Sequence, residues 1–319
     1  MGAPSPGDDP ALGSRSDLRR RIITRSTAAL GAPTYIAHRG RAVAAFVREG
    51  NKIPIVLLHS NSASSFPFAE LIDALNGGGH AVIAVDFPGH GASEDARDPG
   101  ETYSFPGYAA AVARVLAVLG VVDCHLLGWS LGGHVALEMM AASAKQGSAP
   151  WSDDGVLDQP PHVHGTLVCG TPPIRPSPEA LIDAFSATPD MAFAGEEHLT
   201  PAQIDAYAEL LVAPCLSGDD MLRTMIARTD GRARKNMMAN GLAGVGVDQV
   251  AALTDAPFPV AVVHGAHDPF VCQQYLNTLS GLFEDRVHVA AQAAHAPFIE
   301  QPDLFLSLAT RYFAAAERR

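Results

Sequence analysis

Five runs of this chain are apolar at nearly every consecutive position: IPIVLLHS, HAVIAVDF, VDCHLLGW, HGTLVCG and PFPVAVVHG. A strand with one wet face alternates apolar and polar residues, whereas these runs require burial on both faces. Mostly parallel sheets covered by helices on either side meet that requirement. Segments at helical spacing separate the runs: FAELIDALNGGG, YSFPGYAAAVARVLAVLG, SLGGHVALEMMAASAK, CQQYLNTLSGLF and LFLSLATRYFAAAE. RAVAAFVREG and RVHVAA read as further strands. Strand–helix alternation of this kind predicts an α/β fold with helices on both faces of the sheet.

The rhythm breaks between Thr171 and about Ala251, where SPEALIDAFSA and PAQIDAYAELLV read as helices and little reads as strand. An insertion there is expected to lie over the carboxyl edge of the sheet, where open α/β sheets bind ligands. The expected organisation is a flexible tail over 1–30 that leads into a short helix, a core over 31–172 and 251–319, and a helical cap over 173–250. The polar, Pro- and Gly-rich stretch from Gln146 to Gly165 reads as a surface loop, longer than usual connections.

A chain of 319 residues suits one large domain with such an insertion. The formal net charge of −12 and the lack of Lys/Arg clusters argue against a nucleic-acid partner. No apolar run approaches the roughly 20 residues needed to span a bilayer. Cys124, Cys169, Cys215 and Cys272 lie far apart, so free thiols and a cytoplasmic location are expected rather than a disulfide framework. The RRR-IIT stretch near the N-terminus is a poor twin-arginine signal, because Arg25 interrupts its apolar part. Composition leaves the oligomeric state open.

Within HLLGWSLGGHVALEMM, Gly128-Trp129-Ser130-Leu131-Gly132 fits G-x-S-x-G between an expected strand and an expected helix. The pentapeptide alone also occurs as a plain turn, but this context marks a nucleophile elbow. Side chains at either glycine would collide with neighbouring backbone, while the helix behind Ser130 directs N–H groups at developing negative charge. A nucleophilic serine needs a base and an acid that orients the base, in the chain order Ser, Asp or Glu, His. Asp268 follows the strand PVAVVHG and His295 follows RVHVAA, so both are expected on the same sheet edge as Ser130. His125 lies within a strand, His134 on the following helix where packing is its expected role, and His162 and His164 in the loop. No acid follows GTLVCG. The backbone amides of Leu131 and Asn61 are the expected oxyanion donors. HVH and HGAHD invite a metal, but their spacing is poor for ligation.

Beyond the elbow, the stretches GWSLGGH, GTPP, PDMAFAGEE, ARTDGRAR, DPFV and HAPF resemble a metal-independent N-acyl-homoserine lactonase of the α/β-hydrolase fold. The resemblance runs from about Asn51 to the C-terminus and includes cap stretches that are not general hydrolase motifs. It implies a triad of Ser130, Asp268 and His295, an oxyanion hole at Asn61 and Leu131, and substrate contact by Tyr207. It implies no metal and no cofactor. Trp129, Met191 and Phe193 are further expected substrate contacts, and the apolar cap, with Phe185, Leu210 and Leu211, is expected to hold an acyl chain. The sequence departs from that family in three places. Ser60 replaces a glycine and is expected to line the acyl pocket and either narrow it or move the loop, Asp268 replaces a glutamate, and the tail and the 146–165 loop lack counterparts. The expected activity is opening of the homoserine lactone ring, with a carboxylesterase of other small esters or lactones and a non-turning-over ligand sensor as alternatives.

Overall fold

The computed structural model describes residues 14–144, 160–186, 188–212 and 220–318. Eight strands form one sheet: β1 (Thr34–His38), β2 (Arg41–Arg48), β3 (Lys52–Leu58), β4 (His80–Val85), β5 (Asp123–Trp129), β6 (His162–Cys169), β7 (Ala261–Gly265) and β8 (His288–Ala290). Their order is β1-β2-β4-β3-β5-β6-β7-β8. β1 and β2 run antiparallel to their neighbours, and every pairing from β3 to β8 is parallel. The central strands are buried along most of their length, β7 throughout, as continuous apolar runs require.

Helices close both faces. The helix Leu131–Ala144 is buried all round over its first twelve residues, because it lies between the sheet and the helices above it. Ser104 starts the helix Phe105–Val118 by accepting the Gly107 N–H on its hydroxyl. Between β6 and β7 the described residues form helices, Pro178–Ala184, Pro201–Leu211, Asp220–Arg228, Gly231–Leu242 and Gln249–Asp255, and no strand.

Four details depart from the sequence reading. β1 is an additional strand, an edge hairpin with β2 whose side chains alternate between exposed and buried only over its last residues. His162 and His164 lie on β6 rather than in a loop, at the end of the sheet remote from Ser130; of the expected loop, 145–159 lies outside the described residues. CQQYLNTLSGLF, expected as a helix, is helical only over Gln273–Leu276. Finally, at the N-terminus, where a frayed tail leading into a short helix is expected, residues 15–30 form a helix that buries Leu18, Ile22, Ser26 and Leu30. These residues recur every four positions and make a narrow stripe among arginines. Each buried Leu or Ile is worth roughly 1.5–3 kcal/mol, enough to order a helix that propensity alone would leave marginal. The helix packs on Asp220–Arg228; Arg21 pairs with Asp220, Arg15 donates to the Arg228 carbonyl at 3.3 Å, and Arg19 Nη2 donates to the Ala92 carbonyl at 2.6 Å.

Candidate active site

Ser130 follows β5 at a left-handed backbone angle, φ 54°. Non-glycine residues rarely adopt this conformation, and the surroundings must enforce it. A Cβ on Gly128 would lie 2.3 Å from the Gly132 carbonyl oxygen, and one on Gly132 would lie 2.0 Å from the Leu58 carbonyl oxygen. Strand, turn and helix can approach this closely only through glycine. The Ser130 N–H donates to the Cys169 carbonyl at 2.8 Å, fastening the turn to β6.

Asp268 and His295 follow β7 and β8 at the same sheet edge. His295 Nδ1 lies 2.9 Å from Asp268 Oδ2, with both side chains almost fully buried. The other carboxylate oxygen accepts the Phe270 N–H at 2.8 Å and the Val271 N–H at 3.2 Å. The shorter acid therefore spans to the imidazole, and its lone pairs are claimed in a way that fixes its orientation. Phe270 also packs its ring edge-on to His295, with centroids 4.7 Å apart.

The loop after β3 carries Ser60 and Asn61, both buried. His59 braces it. Its Nε2 accepts the Phe87 N–H at 2.9 Å, so its Nδ1 carries the proton and donates to the Ser60 carbonyl at 2.7 Å. Burial lowers the His59 pKa and keeps it in that neutral form. Neither the Asn61 nor the Leu131 N–H donates to a described residue, which leaves both free for a ligand oxygen. The Asn61 side chain donates to the Ala194 carbonyl of the cap at 2.8 Å.

These groups open into one cavity of about 320 Å³, within the range typical of small-molecule sites. Ser60, Asn61, Ser130, Leu131 and His295 form its polar end. Phe185, Met191, Tyr207 and Leu211 line it from the cap, with Phe105, Met237 and Phe270. Burial raises the Tyr207 pKa to about 12, against the influence of Arg234 and a hydrogen bond with Ser62.

Two expected contacts are elsewhere. Trp129 is fully buried behind the base, where it packs on Phe298 and donates from Nε1 to the His295 carbonyl at 2.8 Å. As the last residue of a central strand it points into the core, not the cavity. Phe193 packs against Tyr207, with ring centroids 6.2 Å apart, and like Leu210 is not a lining residue. Conversely, His134 lines the cavity as well as packing on Phe105. Its position four residues after Ser130 on one helix face was the available signal.

The ARTDGRAR stretch fastens the cap to the loop after β4. Arg228 donates to the Gly89 and Ser93 carbonyls, and the buried Asp230 accepts from the Tyr103 hydroxyl at 2.7 Å. Arg234, also buried, donates to the Glu196 carbonyl at 2.7 Å.

A hydroxyl at a strained turn, an imidazole held by a carboxylate and two free amides at one cavity form an arrangement able to transfer acyl groups. Similarity to known proteins agrees with that chemistry. A mutant of the N-acyl homoserine lactonase AidH, solved with N-hexanoyl homoserine lactone, superimposes with a TM-score of 0.80 at 33% identity, covering 90% of this chain and 98% of that one. An enol-lactonase from Burkholderia xenovorans LB400 shares the fold, with a TM-score of 0.65 at 21% identity over 88% of this chain and all of that one. The pimeloyl-[acyl-carrier protein] methyl ester esterase of Aeromonas hydrophila is 27% identical over 275 residues, 82% of this chain and 95% of its own. A sequence model of the alpha/beta hydrolase family matches residues 55–308, and the chain belongs to that family.

Proposed function

We propose that this protein is a serine hydrolase that opens the lactone ring of N-acyl-homoserine lactones. Ser130 Oγ attacks the lactone carbonyl carbon as His295 takes its proton, with Asp268 holding the imidazole and stabilising its charged form. The amides of Asn61 and Leu131 receive the developing oxyanion. Collapse breaks the ring carbon–oxygen bond, and the proton on His295 passes to the ring oxygen. The resulting acyl-enzyme is hydrolysed by a water that His295 deprotonates, releasing N-acyl-homoserine and restoring Ser130. The apolar cap side of the cavity takes the acyl chain, each buried methylene contributing about 0.8 kcal/mol.

The observation that carries this reading is the 33% identity to the lactonase over nearly the full length of both chains, cap included. The methyl ester esterases among the relatives favour one alternative, a carboxylesterase using the same three residues. The test is incubation with acyl-homoserine lactones of graded chain length, in chelator, with Ser130→Ala as control. Mass gain of one water with the acyl amide intact, over many turnovers, supports the lactonase. Intact lactones beside cleaved simple esters refute it, free fatty acid marks amide cleavage instead, and stoichiometric consumption marks a receptor.

A further inference from the structure

Besides the Tyr207 hydroxyl, which bonds to Ser62, the apolar part of the cavity contains a polar edge that the hydrolytic step does not use. His134 stacks on Phe105 with centroids 4.6 Å apart and an interplanar angle of 13°, and its Nδ1 lies 2.9 Å from Gln249 Oε1. The same Gln249 oxygen accepts the Ile174 N–H at 3.2 Å, which identifies it as the acceptor. His134 Nδ1 must therefore carry the proton, leaving a bare lone pair on Nε2. Burial lowers the pKa of this imidazole to about 4, so the ring is neutral in ordinary buffers. Nε2 has no partner among the described residues and is not among the atoms sealed from solvent, while His134 is a lining residue. An acceptor open to an otherwise apolar wall is costly to cover with hydrocarbon and favourable to cover with a donor.

We propose that His134 Nε2 makes the acyl pocket selective for chains that carry a hydroxyl group near the amide, as in 3-hydroxyacyl substrates. Ser130 precedes the helix that carries His134, and both residues line the same cavity. Carbon 3 of an N-acyl chain is five bonds beyond the lactone carbonyl that Ser130 attacks, so it lies inside the cavity that both residues line. Phe105 and Phe185 flank the imidazole, with ring centroids 4.6 and 6.1 Å away, which places it against the chain. Because Nε2 only accepts, a 3-hydroxyl satisfies it whereas a 3-oxo group sets lone pair against lone pair. Ser60 Oγ, also without a partner, is sealed from solvent and so does not discriminate between them.

This selectivity deepens the lactonase reading and rests on it for the spacing of the acyl chain. The experiment compares kcat/KM for octanoyl, 3-hydroxyoctanoyl, 3-methoxyoctanoyl and 3-oxooctanoyl homoserine lactones. A parallel series uses the matching N-acyl-alanine methyl esters, which keep the carbonyl-to-chain spacing without the ring. The expected order places 3-hydroxy roughly five- to tenfold above octanoyl, with 3-methoxy and 3-oxo at or below octanoyl. His134→Phe keeps an aromatic ring on Phe105 and is expected to bring the hydroxy-to-plain ratio to about one. A ratio near one in the wild-type protein overturns the proposal even if the variant does not fold, as does a preference that persists in a folded variant. Hydroxyl preference on the open esters with untouched lactones would uphold His134 and overturn the lactonase. Opened lactones without the preference would do the reverse.

Discussion

Gly170 offers a direct test of how tightly the base is placed. It sits at φ 58°, and a Cβ there would lie 2.9 Å from the His295 carbonyl oxygen and 3.0 Å from both Cε1 and Nδ1 of the imidazole. Gly170→Ala imposes two burdens. One is left-handed backbone, about 1–2 kcal/mol for an L-residue. The other is displacement of a ring whose Nδ1 is 2.9 Å from Asp268. Gly120 separates them, because it has φ 71° and nothing within 4 Å of its added Cβ. Gly120→Ala should lose about 1–2 kcal/mol of stability, some 2–8 °C in Tm at about 2–4 °C per kcal/mol, and Gly170→Ala at least as much. Only Gly170→Ala should lose activity, by about 10- to 100-fold in kcat, since misplacement of a catalytic group by ångström fractions costs rates of that order. Ester hydrolysis and thermal melts of the two proteins are the assay. Equal kcat in the two folded variants would refute the claim that Gly170 is glycine for the sake of His295.

Trp129→Phe removes the donor to the His295 carbonyl and should cost about 1–3 kcal/mol of stability, with KM unchanged; a raised KM with unchanged stability would return Trp129 to the substrate. Acid should weaken the fold, because the folded His134 pKa of about 4 is below its ordinary value of 6.5. The unfolded chain then binds the extra proton, so stability is full above the ordinary value and falls as pH drops toward 4. From pH 7 to 5 the loss from His134 alone is about 2 kcal/mol, and burial depresses His59 and His90 in the same direction. A Tm unchanged between those pH values contradicts this. Deleting residues 1–30 should lower Tm and expose the 173–250 region to limited proteolysis, which gel mapping of the fragments would reveal.

Much of the fold was legible because apolar runs leave few architectures open. Ser130, Asp268 and His295 were each found from their place just after a strand, a position that the parallel pairing of β5 to β8 converts into one sheet edge. Side-chain direction was harder to read. Trp129 neighbours the elbow in sequence, yet strand alternation turns it into the core beneath His295. Phe193 and Met191 lie two residues apart on the same 3₁₀ segment, and only Met191 reaches the cavity. His134 was read as packing, which its stack on Phe105 supports, but a ring has edges as well as faces. The length and packing of the helix over 15–30 were obscured because its four buried positions lie among charges, and its partner helix is some two hundred residues away.

That early helix changes how the roof over the cavity can move. A segment inserted between β6 and β7 is joined to the sheet by two covalent crossings, an arrangement that would let it swing as on a pair of hinges. The helix over 15–30 clasps the roof's Asp220–Arg228 helix from a separate stretch of chain, while Arg19 grips the loop beneath. Two hinges and a clasp make a latched shutter. Substrate traffic must then use gaps between the roof helices, or wait until the latch lifts.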